Sequence, residues 1–140
     1  MEKTMIVRQI VSWRLPVVLT LFLLGQGTTQ AQSPVGVWKG RWQSQSTGHS
    51  GPMRATIRQT GPGQYDARWV GRFAAVIPFV YRSQLTEVAS PDGQVTLHSR
   101  KQLGPLMGNY EMTSNFLGNS MDSRFQTRQD QGTVRMRRIR

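Results

Sequence analysis

Few side chains in this sequence could make or break bonds. His49 and His98 are the only histidines in 140 residues, and there is no cysteine. A zinc site built on them needs further donors from Asp66, Glu87, Asp92, Glu111, Asp122 and Asp130. None of these stands at ligand spacing from a histidine. His49 falls in a Gly/Ser/Thr-rich turn and His98 takes an outward parity, so both read as solvated side chains. A glycosidase-like pair needs two carboxylates about 5–10 Å apart across a cleft. Glu111 and Asp122 are the candidates, as neighbours on consecutive segments, but they sit among arginines and a surface salt-bridge lattice accounts for them. Gly48-His49-Ser50-Gly51 sets a histidine beside a serine. Adjacent residues on a turn diverge, and no third group is marked to orient them. Thr60-Gly61-Pro62-Gly63-Gln64 reads as a hairpin turn that leads into no helix able to hold a phosphate. No group of residues fills the roles that catalysis requires, so the expectation is a protein that is not an enzyme and carries no metal or cofactor.

Two other sets of residues carry the remaining chemistry. Arginine outnumbers lysine fifteen to three, and the formal net charge is +11. Arginine's planar fork suits phosphate, sulfate and carboxylate groups. Arg54, Arg58, Arg68, Arg72, Arg124 and Arg128 are therefore candidates to hold an anionic envelope polymer or anionic lipid head groups. The charge is spread along the chain, which suits a solvated coat as well, and nothing marks a specific nucleic-acid site. The second set is aromatic. Trp38, Trp42, Trp69, Tyr81 and Tyr110 are candidates to line a site for one small apolar ligand. The competing role for the same rings is a dense core.

One pattern positions both sets. In Gly36-Val37-Trp38-Lys39-Gly40-Arg41-Trp42 the residues alternate: Trp38, Gly40 and Trp42 point one way on a strand, Lys39 and Arg41 the other. The split recurs. Tyr65, Ala67, Trp69, Gly71 and Phe73 oppose Arg68 and Arg72; Met121 and Phe125 oppose Arg124 and Arg128; Val134 and Met136 oppose Arg135 and Arg137. Ser44, Ser83, Ser99, Ser114 and Ser123 share the ring-bearing face, where they suit a polar-headed ligand or buried water. Lys101, Arg138 and Arg140 break the rule for cations. Beyond residue 32 no window carries a helical apolar stripe free of Gly and Pro. Turn signals come instead at short intervals, among them 46–52, 60–63, 89–93, 104–108, 118–119 and 129–132.

The segments between the turns predict eight strands: 37–44, 53–60, 64–73, 77–88, 94–102, 109–117, 120–127 and 133–139. The join at 74–78, Ala-Ala-Val-Ile-Pro, is the least defined, because it has no Gly or polar turn residue. A bulge, a strand corner or a short helical turn all fit it. Half-buried antiparallel strands produce this alternation, whereas a parallel sheet gives continuous apolar runs. Eight strands joined by short turns make a meander, and closing it removes both exposed edges. The expected fold is all-β, a single eight-stranded antiparallel up-and-down barrel, with a two-sheet sandwich as the alternative.

The chain start reads as a secretory leader. Lys3, Arg8 and Arg14 precede an apolar run over 15–24, and small polar residues follow to Gln32. The run is about half the roughly 20 residues of a spanning helix, so cleavage near Ala31 is expected, with a retained anchor as the alternative. The expected organisation is a leader over 1–31 and one domain over 32–140, exported to the periplasm or the outside. A domain of that size without disulfides needs a dense core or closed edges.

Two resemblances add to this. Gly36-Val37-Trp38 resembles the Gly-x-Trp signature in the first strand of lipocalins and their calycin relatives, which are up-and-down barrels. The resemblance implies a calycin-like barrel in which Trp38 packs across the closed end beside a late basic residue, with Arg135, Arg137 and Arg138 all open as that partner. The Gly-x-Trp-x-Gly-x-Trp opening, together with Gly48–Ile57, Thr60–Tyr65, Val76–Phe79 and Leu103–Tyr110, is similar to a small secreted bacterial protein group of the planctomycete type. That likeness implies export and an all-β fold, and no reaction. The expected function is an exported, non-catalytic envelope protein, with a small-ligand-binding barrel first and a polyanion- or anionic-lipid-binding outer face as the alternative.

Overall fold

The computed structural model describes residues 32–140 apart from 75, 90–92, 103, 106 and 107, so the expected leader lies outside the described residues. Eight antiparallel strands follow one another around a closed barrel. They are β1 (Gly36–Ser44), β2 (Ser50–Gly61), β3 (Gln64–Phe73), β4 (Ile77–Ala89), β5 (Val95–Gln102), β6 (Asn109–Leu117), β7 (Ser120–Gln126) and β8 (Gln131–Arg138). Each pairs with the next, and β8 returns to β1 with Gly40 opposite Met136 and Trp42 opposite Val134. That closing ladder excludes the sandwich, which would leave β1 and β8 as edges.

The alternation that shaped the expectation also decides burial. On β1, Trp38, Trp42 and Ser44 are buried while Lys39, Arg41 and Gln43 are exposed. On β3, Tyr65, Ala67, Trp69 and Gly71 are buried while Asp66, Arg68 and Arg72 are exposed. A one-residue slip would turn every ring outward, so the register is strongly specified. The five inward serines are all buried, and small side chains there leave volume for Trp38, Trp69, Phe116 and Met112 in the interior. Ser83 Oγ accepts from Trp69 Nε1 at 2.9 Å, and Ser123 donates to Ser114 at 2.7 Å. Burial of these hydroxyls and of Ser44, which bonds Asp130, is thereby offset, whereas Ser99 Oγ is buried without a hydrogen-bond partner among the described residues.

Of the 74–78 join, Ile77 and Pro78 already belong to β4, and the connection before them is closed by Val76 N donating to Phe73 O at 3.1 Å. Ala74 takes φ 47°, and among the described residues it alone holds a positive φ without being glycine. Left-handed backbone costs an L-residue about 1–2 kcal/mol. The turns at Gly48, Gly63, Gly93, Gly104, Gly108 and Gly118 avoid that cost.

The two ends of the barrel differ. At the end where the chain enters, Trp38 is fully buried and its Nε1 donates to Pro34 O at 2.9 Å. Phe116 meets it edge-on at 5.2 Å between centroids. The Arg138 guanidinium lies 4.6 Å from the Trp38 ring centroid and donates to the Val35 and Ser33 carbonyls. Of the three late arginines that could have met Trp38, Arg138 does so; Arg135 and Arg137 are exposed on the outer wall. Its inward parity, an exception among the cations, places it there. This end is plugged. The opposite end, where the β1–β2, β3–β4, β5–β6 and β7–β8 connections lie, carries no such plug among the described residues.

Candidate functional site at the barrel mouth

Trp42, Met53, Phe73, Phe79, Tyr81, Tyr110, Phe125, Asp130 and Val134 enclose a pocket of about 230 Å³ at the open end. The rings form a connected wall. Trp42 stacks on Phe73 at 5.8 Å, Phe79 on Tyr81 at 6.3 Å, and Tyr110 on Phe125 at 6.2 Å. Tyr81 meets Tyr110 edge-on at 5.9 Å. Such offset and edge-on contacts hold rings in fixed places beyond what burial alone gives.

The pocket stays open because its rings rest on glycines. Trp42 faces Gly51 across β1–β2, Phe79 faces Gly71 across β3–β4, and Phe125 faces Gly132 across β7–β8. A Cβ on Gly71 would stand 2.3 Å from Phe79 Cζ, and one on Gly132 would stand 2.5 Å from Phe125 Cζ. Each ring therefore lies against the wall where a side chain would otherwise push it across the opening.

Polar atoms in the pocket are few. The Tyr81 and Tyr110 hydroxyls lie 3.1 Å apart, and Tyr110 also reaches Met112 Sδ at 3.2 Å. Burial pushes both phenols up. Tyr110 rises to about 12, with its bond to Tyr81 pulling slightly the other way, and Tyr81 rises well above the ordinary value. Both are thus neutral hydrogen-bonding groups at physiological pH. At the rim, Asp130 Oδ1 accepts from Ser44 Oγ at 2.6 Å, while Ser44 accepts from Thr47 N at 3.0 Å. Trp42 Nε1 donates to Arg72 O at 3.0 Å, so the indole is tied to the wall. The arrangement can hold a small ring or the end of an acyl chain and offer one buried hydroxyl pair to it.

Of the five rings singled out from the sequence, Trp42, Tyr81 and Tyr110 line this pocket. Trp38 lies at the plugged end and Trp69 in the core against Ser83. Phe73, Phe79 and Phe125 line the mouth as well, although the sequence did not single them out among the candidate ligand-binding rings. The signal that could have found them is their position at strand ends beside one set of turns, opposite glycines. Register is needed to see it.

The other candidates lie on the outer wall. Lys39 stands opposite Arg54 on one side and Arg137 on the other, Arg41 opposite Arg135, and Arg68 opposite Arg82. Strands β8, β1, β2, β3 and β4 carry ten cations against Asp66 and Glu87, while β5, β6 and β7 carry Arg100, Lys101 and Arg124 against Glu111 and Asp122. The charge is thus gathered on one side. Arg58 and Arg68 share an open groove with Arg82 and Asp66. Arg124 faces Thr113 and Thr133 on the other side, and Arg72 and Arg128 lie near the mouth.

Glu111 pairs with Arg100 at 2.6 Å and Asp122 with Arg135 at 3.5 Å, both on exposed surface, as the salt-bridge reading held. They are not neighbours: Glu111 faces Gln126, whereas Asp122 faces Asn115. Both lie near the start of their strands, and because the strands run antiparallel that puts them toward opposite ends of the β6–β7 ladder. Among the described residues no three His, Asp or Glu side chains cluster as metal donors. His49 packs its ring 4.8 Å from Phe73, and His98 Nδ1 lies 3.3 Å from Thr113 Oγ1.

No family model matches the chain, and no curated protein matches it. Among solved structures it is similar to a de novo designed fluorescence-activating β-barrel, with a TM-score of 0.56 and 19% identity over 77% of this chain and 95% of the design. At that identity the likeness concerns the eight-stranded barrel fold alone.

Proposed function

We propose that this chain is an exported, non-catalytic protein of the cell envelope that holds one small, largely apolar ligand in the mouth of its barrel. The observation that carries the reading is the asymmetry of the two ends. One is sealed by Trp38 and Arg138, and the other holds a ring-walled pocket of about 230 Å³ propped open by glycines. Sites for drug-sized ligands span roughly 300–1,000 Å³, so the mouth suits a single hydroxylated ring or a chain terminus rather than a whole pigment. The Tyr81–Tyr110 hydroxyl pair gives that ligand its polar contact. Asp130 is the one carboxylate in the lining, and Ser44 already occupies it. Export is supported by the leader-like pattern over 1–31.

Thermal shift against fatty acids, hydroxylated aromatics and pigments tests this. Saturation at a hundred times Kd adds about 2.7 kcal/mol to stability. A set of compounds that leaves the melting temperature unmoved contradicts the proposal.

A second reading, binding of a polyanion to the outer wall, is supported by a separate observation. Like charges directly opposite on neighbouring strands are destabilising, and this wall carries four such pairs. A bound anionic polymer would relieve them. Retention on heparin should then fall steeply with salt, because phosphate- or sulfate-like contacts release counterions. Retention that ignores ionic strength removes this reading.

A further inference from the structure

We infer that the mouth of the barrel docks on an anionic lipid bilayer, with the β3–β4 tip entering the apolar layer. The inference rests on the mouth being the place where ligand enters.

The tip is the part of the chain that surface chemistry explains least. Val76 is 76% exposed, Ile77 59% and Phe73 38%, and Pro78 and Val80 are exposed beside them. Between Arg72 and Arg82 no charged or amide side chain occurs. A hairpin turn in water is ordinarily built from Gly, Asn, Asp or Ser. Here the positive φ falls on Ala74, where the other positive-φ positions among the described residues use glycine. The tip thus keeps apolar side chains at the expense of turn geometry, as a segment that works outside water would.

The tip is continuous with the pocket. Phe73 at one foot and Phe79 at the other both line it, so whatever covers Val76 and Ile77 also covers the opening. The rim supplies the matching charge. Arg72, Lys101 and Arg128 are exposed at this end. The nearby carboxylates are engaged, Glu111 by Arg100 and Asp130 by Ser44. An apolar tip ringed by cations matches a surface that is anionic outside and apolar beneath. A neutral apolar protein face would use the tip and leave the collar without partners. The pocket walls, almost wholly apolar, would then open directly toward acyl chains.

The absence of cysteine allows a site-specific test on the full chain. Val76→Cys and, at the plugged end, Leu117→Cys each receive an environment-sensitive fluorophore. Leu117 is 58% exposed, similar to Ile77, and its neighbour Gly118 N bonds to the Gln32 side chain, where the leader would emerge. With vesicles of equal parts phosphatidylglycerol and phosphatidylcholine, the Val76 label should shift to the blue and the Leu117 label should not. Vesicles of phosphatidylcholine alone should give a smaller shift. Val76→Asp with Ile77→Asp should weaken vesicle binding roughly tenfold or more, through loss of apolar insertion.

A Val76 label that stays in water overturns the inference. So does a shift at Leu117 instead, which would mean capture through the leader. A Val76 shift that grows with protein concentration without vesicles also overturns it, and assigns the patch to a second copy of the chain. Ligand-induced thermal shift measured without lipid reports the pocket by itself, so failure of docking and failure of ligand binding are told apart.

Discussion

Trp38 and Trp42 stand four residues apart on the same face of the same strand, and they do opposite things. Trp38 is sealed by Phe116, by the Pro34 carbonyl and by Arg138 lying over its ring. Trp42 is tied to Arg72 O and shares its other face with Phe73, Phe79 and an open pocket. Residue type, strand and parity are identical, so none of these decides the role. What decides it is which end of a sheared, closed ladder each indole reaches, and what the neighbouring strand offers there. Beside Trp38 the segment before β1 supplies carbonyls and the end of β8 a guanidinium. Beside Trp42 the neighbours supply glycines and rings.

The largest effect expected from breaking this contrast is on folding. Trp38→Ala removes a fully buried ring and leaves Arg138 without its platform, at a cost of about 3–5 kcal/mol in denaturant unfolding. Trp42→Ala costs about 1–3 kcal/mol, because the mouth is already open, yet it abolishes ligand-induced stabilisation. Equal costs at the two sites would dissolve the distinction between plug and mouth.

Next comes pH. Tyr81 and Tyr110 are raised by burial, Tyr110 to about 12 against an ordinary value of about 10. The folded chain therefore keeps protons that the unfolded chain releases above pH ~10. The stabilisation is complete below that value and is lost as pH rises toward about 12. The loss is on the order of 2–3 kcal/mol for Tyr110. Tyr110→Phe should flatten this alkaline decline, which pH-dependent unfolding measures. Arginines on the outer wall stay charged across the same window. Tyr65, near the start of β3 and away from the mouth, is also raised, by burial and by Glu87, so the part of the decline that belongs to the mouth is the part Tyr110→Phe removes.

How much of this was legible beforehand follows from what each feature depends on. Strand positions and the inside–outside split follow from alternation, which is local, and β3 and β6 begin and end where the spacing put them. Closure followed from the number of strands and the cost of bare edges. The mouth was only half visible. Tyr81 and Tyr110 could be placed inside, but their hydroxyl contact spans β4 and β6, with β5 between, and depends on cross-strand register that parity does not set. Arg138 showed itself as an exception to a rule and as one of three late arginines open as the partner of Trp38. The side-chain-poor turn at Ala74 was visible as odd, and its apolar exposure needed coordinates to be seen.

A smaller effect sharpens the account of the mouth itself. Gly71→Ala adds a Cβ whose three nearest neighbours are all atoms of the Phe79 ring. The ring must swing into the pocket, and ligand affinity should fall roughly tenfold with little change in unfolding midpoint, since the displaced ring still finds apolar partners. Calorimetric titration reads this directly. The smallest effect is on the wall. Arg68→Ser relieves the Arg68–Arg82 pair and should stabilise the barrel by about 0.2–1 kcal/mol at low salt, vanishing at high salt. Destabilisation there would mean the pair is held by something other than repulsion.

The two indole N–H groups offer the most direct measurement. In a nitrogen–proton spectrum of the labelled chain, a hydroxylated aromatic or fatty acid that raises the melting temperature should move the Trp42 indole resonance. The Trp38 and Trp69 resonances should stay in place. Movement of Trp38 with Trp42 unmoved, under the same saturating ligand, would contradict the assignment of the open end as the binding site.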